Sequence, residues 1–207
     1  MNRSEIRGIV RRQLQDPGTG VQWTNTELDT LIEQAYMFIQ TRVFAHDPNA
    51  HISWDTLDTV ADQSEYALPA TFGIRRVGLK STAADTVYEK LRRATYDDIL
   101  ESTSTEARYA VMGQFIAIFP APSSAVVDGI QLLHTPIMSM DSDDDVPVVK
   151  EPLHMAIVWM TVLLASDEDE SRDVSQITGK LNSVLDSIPQ WYQLHTDENP
   201  RFVPERI

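Results

Sequence analysis

The chain has 207 residues, no cysteine, and 17 basic against 31 acidic groups, a net charge of −14 with the histidines neutral. A chain of this length buries about 70% of its unfolded surface without staples, and the missing thiols exclude disulfides, thiolate metal sites and cysteine nucleophiles. The acidic balance repels phosphate and argues against a protein that grips nucleic acid.

The N-terminal stretch MNRSEIRGIVRRQLQD has no uninterrupted apolar core, so no secretory signal is expected there. Ile6, Ile9, Val10 and Leu14 recur at helical spacing, with Ser4 as candidate cap. Arg3, Arg7 and Arg11 fall four apart on another face, either a solvated stripe or a partner-binding one. DPGTG then ends the helix. A second helix opens in WTNTELDTLIEQAYMFIQTRVF, where Thr24 and Glu27 form a capping box and Trp23 can staple onto Leu28. Leu28, Leu31, Ile32, Ala35, Ile39 and Val43 make its apolar stripe. His46 and His51 flank the closing loop and lack a third ligand, so they read as polar loop residues.

From about Ile52 to Thr135 short β-branched and aromatic runs alternate with turn residues. SEYALPATFGIRRVGLKS gives a short strand, a proline corner and a strand carrying Ile74, Val77 and Leu79. TVYEKLRRA is a further candidate strand, TYDDILES one or two helical turns capped by Thr95, and RYAVMGQFIAIFPAPSS a hairpin through Gly113. VVDGIQLLHTP supplies the last strand.

The stretch MSMDSDDDVPVVKEPLHMAIVWMTVLL sets four aspartates ahead of the most apolar run in the chain. Asp141, Asp143 and Asp145 match the first ligands of a calcium loop, but Val146 and Pro152 occupy the places that need Gly and a bidentate Glu. The default reading is an acidic approach to a buried third helix, with Pro152 in its first turn. The apolar run, about Met155 to Ala165, is shorter than the roughly 20 residues that span a bilayer, so no membrane association is expected. His154 reads as a tucked polar residue. A fourth helix runs from about Arg172 through Val174, Ile177, Leu181, Val184, Leu185 and Ile188, ended or bent by Pro189. The remaining tail carries Trp191, Tyr192, Phe202, Val203 and Pro204 on a segment too poor in apolar residues to fold alone, which points to an extended docking arm.

No catalytic or cofactor pattern is present. The Gly-Lys pair in ITGKLN lacks the earlier glycine of a phosphate loop, since Val174 stands there. There is no HExxH, GxSxG or dinucleotide fingerprint, and paired carboxylates sit in polar, solvated runs. No enzyme activity, metal or cofactor is therefore expected. The expected fold is α+β, mainly a bundle of about four helices with an inserted small antiparallel β-lobe. The expected division is 1–50 for the first two helices, 51–137 for the lobe, 138–189 for the last two helices and 190–207 for the arm.

The order of segments resembles the head-to-tail adaptor family of tailed bacteriophages, also called head–tail connector or tail tubular proteins. LQDPGTG leading to WTNTELDTLIEQAY is similar to that family's Trp-(Ser/Thr)-x-x-Glu-Leu opening of the second helix. YALPATFGIRRV resembles its Tyr-x-Leu-Pro-x-x-Phe segment, RYAVMGQFIAIFPAP its hairpin with a closing Pro-x-Pro, and DDDVPVVKEPLHMAIVWMTVLLA its acidic, proline-marked helix entry. The likeness runs from residue 3 to about 188; the tail after Pro189 matches nothing in the pattern. The resemblance implies a structural virion protein of the neck, assembled in the host cytoplasm as a homo-oligomeric ring, a dodecamer. It would bind the portal on one side and a tail or nozzle protein on the other, with double-stranded DNA passing through the channel without specific binding. Trp191, Tyr192, Phe202, Val203 and Pro204 would then dock on the portal, and Arg3, Arg7 and Arg11 would face a neighbouring subunit. Alternatives are another ring-forming head-completion or tail-terminator protein, a cell-wall or polysaccharide hydrolase, which needs two carboxylates about 5–10 Å apart in a cleft, and a DNA-binding module, which the charge opposes.

Overall fold

The computed structural model describes residues 1–16, 22–100, 106–166 and 174–192, with the side chains of Ile99 and Leu100 excepted. The chain divides into two compact units, Met1–Ala50 with Met138–Ile207, and His51–Ile137.

In the first unit, α1 spans Arg3–Leu14 and α2 spans Asn25–His46. The cap of α1 is Asn2, not Ser4: its backbone is extended, its side chain accepts from the Glu5 amide, and the Glu5 carboxylate accepts from its own amide. Ser4 lies inside the first turn and is exposed. Thr24 and Glu27 form the capping box of α2, the Thr24 hydroxyl accepting from the Glu27 amide at 3.2 Å. Pro152 opens α4, Pro152–Ser166, where a missing amide leaves no intrahelical bond unmade. Between Leu153 and Ser166 no residue of α4 is exposed, as its unbroken apolar run requires. Then α5 covers Ser175–Leu185 and the short α6 Ile188–Trp191, with Pro189 in its first turn.

Ile6, Val10 and Leu14 of α1, Leu28, Ile32, Ala35, Tyr36, Ile39 and Val43 of α2, and Leu153, Ile157, Val158 and Val162 of α4 share one core, with Leu181 and Ile188. Each such aliphatic side chain contributes about 1.5–3 kcal/mol through removal from water. Trp23, 9% exposed, joins the same cluster as Leu28.

The second unit holds, among the described residues, eight strands: β1 Ser53–Thr59, β2 Glu65–Ala67, β3 Thr71–Leu79, β4 Glu89–Lys90, β5 Arg92–Arg93, β6 Arg108–Met112, β7 Phe115–Phe119 and β8 Val126–Pro136, plus the five-residue α3, Tyr96–Leu100. They form two four-stranded sheets, ordered β1-β8-β3-β4 and β2-β7-β6-β5. Val77, Ile130 and Leu132 of the first sheet and Tyr66, Tyr109, Ile116 and Ile118 of the second share one core with Leu91. Gly113, at φ 56°, makes the β6–β7 turn, a conformation costly for a residue with a Cβ.

This corrects the expected fold class. The protein is mixed α+β with two sheets of four strands, not mainly a helical bundle with one small antiparallel lobe. The pair β5–β6 is also parallel. The reasons are local. Residues 89–93 read as one strand, yet Lys90 pairs in one sheet and Arg92 in the other, with buried Leu91 as the hinge between them. Strand β1, for which the sequence reading names no element, is a sheet edge whose residues alternate half-buried and exposed, so SWDTLDT carries little apolar signal.

Candidate interaction surfaces

The arginine stripe of α1 is engaged within its own chain. Arg3 donates to the Met140 carbonyl at 2.7 Å and to Asp143 at 3.2 Å. Arg7 Nη1 donates to both oxygens of Asp29 at 2.7 Å, and its Nη2 to Asp143 at 2.8 Å. Arg11 pairs with the fully buried carboxylate of Asp16 and donates to the Trp23 carbonyl at 3.0 Å and to Asn25 at 2.8 Å. Arg7 and Arg11 are 9% and 8% exposed, so the stripe is a packed ladder and not a solvated face.

The loop Asp141–Asp145 answers that ladder. Its backbone carbonyls cap α1: the Arg3 amide donates to Asp145 O at 2.9 Å and the Ser4 amide to Asp143 O at 3.1 Å. Two of the four amides that a helix start leaves unpaired are thereby satisfied. Asp145 accepts from the Ser142 amide and hydroxyl, both at 2.8 Å, closing the loop on itself. The Arg7 guanidinium, then Arg3, hold the Asp143 carboxyl below its ordinary range; the Ser142 amide and hydroxyl do the same for Asp145. Behind the loop, Glu33 accepts from the Met140 amide at 2.7 Å, and burial pushes its carboxyl up. The acidic run therefore serves the start of α1 and not, as its place in the sequence suggests, the following helix. Opposite charge in a repeat of arginines and a cluster of aspartates was the available signal; their separation of about 140 residues hid it. Among the described residues no group of three or more His, Asp or Glu is placed to hold a metal ion.

Of the expected docking arm, Trp191 lies in α6 and Tyr192 is 6% exposed in the core of the first unit. The Lys150 amide donates to the Tyr192 hydroxyl at 3.1 Å, the Lys150 ammonium lies 4.8 Å from that ring, and it also donates to the Trp191 carbonyl. These two aromatics are thus seated on their own chain, and the segment 188–191 is helical, not extended. Phe202, Val203 and Pro204 lie outside the described residues. His154 is tucked at the start of α4: the Met1 ammonium donates to Nδ1 at 3.0 Å and Nε2 donates to the Val149 carbonyl at 3.0 Å, and burial lowers its pKa.

The first unit also has an open groove of about 370 Å³ between the ends of α2 and α5, lined by Arg42, Ala45, His46, Asn182, Leu185 and Pro189. Asp186 and Ile188 complete the lining. On the second unit, Arg92 lies directly beside Arg108 on the parallel neighbour, and Lys90 opposite Gly78. The most exposed apolar residues on that unit are Val87 at 76% and Val127 at 73%, with Phe115 and Val60 also exposed, and Val146 at 56% and Val148 at 41% follow the acidic loop. No helix among the described residues is long and apolar enough to cross a membrane.

No curated protein matches the sequence. The profile of the family described as SU10 adaptor protein matches residues 1–204, across both compact units. The chain belongs to this family of phage head-to-tail adaptors and is a phage structural adaptor.

Proposed function

We propose that the chain assembles as a ring in the virion neck, between the capsid portal and the tail, with the genome leaving through the lumen. The observation that carries this reading is the family match over residues 1–204. Charge supports it. At −14 the protein attracts few phosphates, so DNA can slide past without being held. Ring contacts are heterologous and need two unlike faces on each copy; the chain has an acidic loop on one unit and a basic strand edge on the other. Residues 193–207, with Phe202, Val203 and Pro204, serve as the portal-docking arm, anchored at their root by Tyr192 and Lys150.

The test is attachment. Purified portal rings should retain the full chain and lose it on deletion of residues 193–207. A truncated chain that binds portal as tightly as the full one rules out the arm, and a full chain that never binds portal rules out the adaptor position.

A further inference from the structure

Strands β3, β4 and β5 gather cations at the seam where the two sheets of the second unit meet. Val77, Leu79 and Leu91 turn into the core, so strand alternation sends Arg76, Lys90 and Arg92 to the outer face. Lys90, Arg92 and Arg93 are exposed, and Arg75 stands at the bulge in β3. Among the described residues none of these five makes an ion pair; Arg108, the neighbour of Arg92, takes Glu106 at 3.3 Å. Like charges set side by side across strands are unfavourable in isolation. Only Glu89 stands among them as an exposed carboxylate on the same strands. Val87, 76% exposed, adjoins the strip.

The first unit carries the complement. In the loop 141–145, Asp143 and Asp145 are occupied internally, whereas Asp141 and Asp144 are exposed and form no ion pair among the described residues. Val146 and Val148 follow them, exposed. Each surface thus has uncommitted charge of one sign beside exposed valine, the pattern of an apolar centre with a polar rim. We propose that the strip Arg76, Lys90 and Arg92 of one copy docks on the loop Asp141–Val148 of a second copy, in a head-to-tail contact that repeats around the assembly. A protein surface is favoured over duplex DNA because the net charge of −14 opposes long-range attraction to phosphate. The inference names the lateral contact of the proposed ring and rests on that reading.

Charge exchange tests it. Lys90→Glu with Arg92→Glu forms one variant and Asp141→Lys with Asp144→Lys the other; circular dichroism establishes that each is folded. Assembly on purified portal is read by sedimentation at low and high salt. Each variant alone should assemble about tenfold less well at low salt, the order of effect for rim charges, and an equimolar mixture should recover. Because the chain has no cysteine, Arg92→Cys mixed with Asp144→Cys should give a disulfide-linked pair on oxidation. Wild-type rings that both variants form equally well overturn the contact but leave the ring. Wild type that never assembles on portal overturns both. Duplex DNA bound through the strip, with assembly unchanged by its reversal, also overturns the contact.

Discussion

Replacing Asp16 by alanine should destabilise the first unit severely, because its carboxylate is fully buried against an Arg11 side chain only 10% exposed. Removing one partner of such a pair strands the other charge away from water, at a cost of about 3–5 kcal/mol. Arg11 keeps the Trp23 carbonyl at 3.0 Å and Asn25 at 2.8 Å, which places the loss near the lower end. Urea unfolding followed by tryptophan fluorescence measures it, since Trp23, Trp159 and Trp191 all belong to this unit. The double replacement Arg11→Met with Asp16→Leu should recover only part of the loss: no charge is left stranded, but the Trp23 carbonyl and Asn25 lose their Arg11 donor. A loss below about 1 kcal/mol for Asp16→Ala, the range of exposed pairs, would refute the claim that this arginine is committed inside the chain.

The clasp at the start of α1 predicts acid sensitivity. Asp143 and Asp145 have carboxyls lowered from 3.8, so their contribution is complete above that value and is lost as pH falls through the lower folded values. Asp143→Asn should flatten the acid side of the stability profile, and an unchanged profile would count against the clasp. On the alkaline side, burial pushes the Tyr36 hydroxyl up to about 12 from 10.0, so its contribution is full below pH 10 and fades as pH rises towards 12; tyrosinate absorbance in Tyr36→Phe and wild type reports it. Gly129→Ala should cost the second unit about 1–3 kcal/mol, because the added Cβ would lie 2.7 Å from the Thr59 side chain and 2.9 Å from the Val126 carbonyl; thermal melts that coincide would contradict this. Thr24→Ala should cost about 1 kcal/mol by leaving the start of α2 uncapped, measured by the same urea titration.

The helices were legible because their signals are local. The capping box of α2, the proline at α4 and apolar stripes act within a few residues, and Thr24, Glu27 and Pro152 sit where their chemistry requires; at α1 the box is Asn2 with Glu5 and not the expected Ser4. The hairpin through Gly113 and the Thr95 cap were readable for the same reason, the Thr95 hydroxyl accepting from the Asp98 amide at 3.2 Å. Sheet membership was not. Lys90 and Arg92 are two residues apart yet pair in different sheets, a choice made by partners far along the chain. The arginine ladder shows the same limit. Its periodicity is plain in the sequence, but whether Arg7 meets water, a sister subunit or Asp29 and Asp143 depends on how the loop at 141–145 returns to α1. Trp191 and Tyr192 looked like arm residues because prolines flank them, and only the position of Lys150 shows them seated.

A symmetry-resolved reconstruction of the neck in intact particles tests the central claim most directly. The account predicts copies of this chain arranged as a closed ring, portal on one side and tail on the other, around a DNA-filled channel. Finding the chain as isolated copies away from that axis, or absent from the neck, would contradict it.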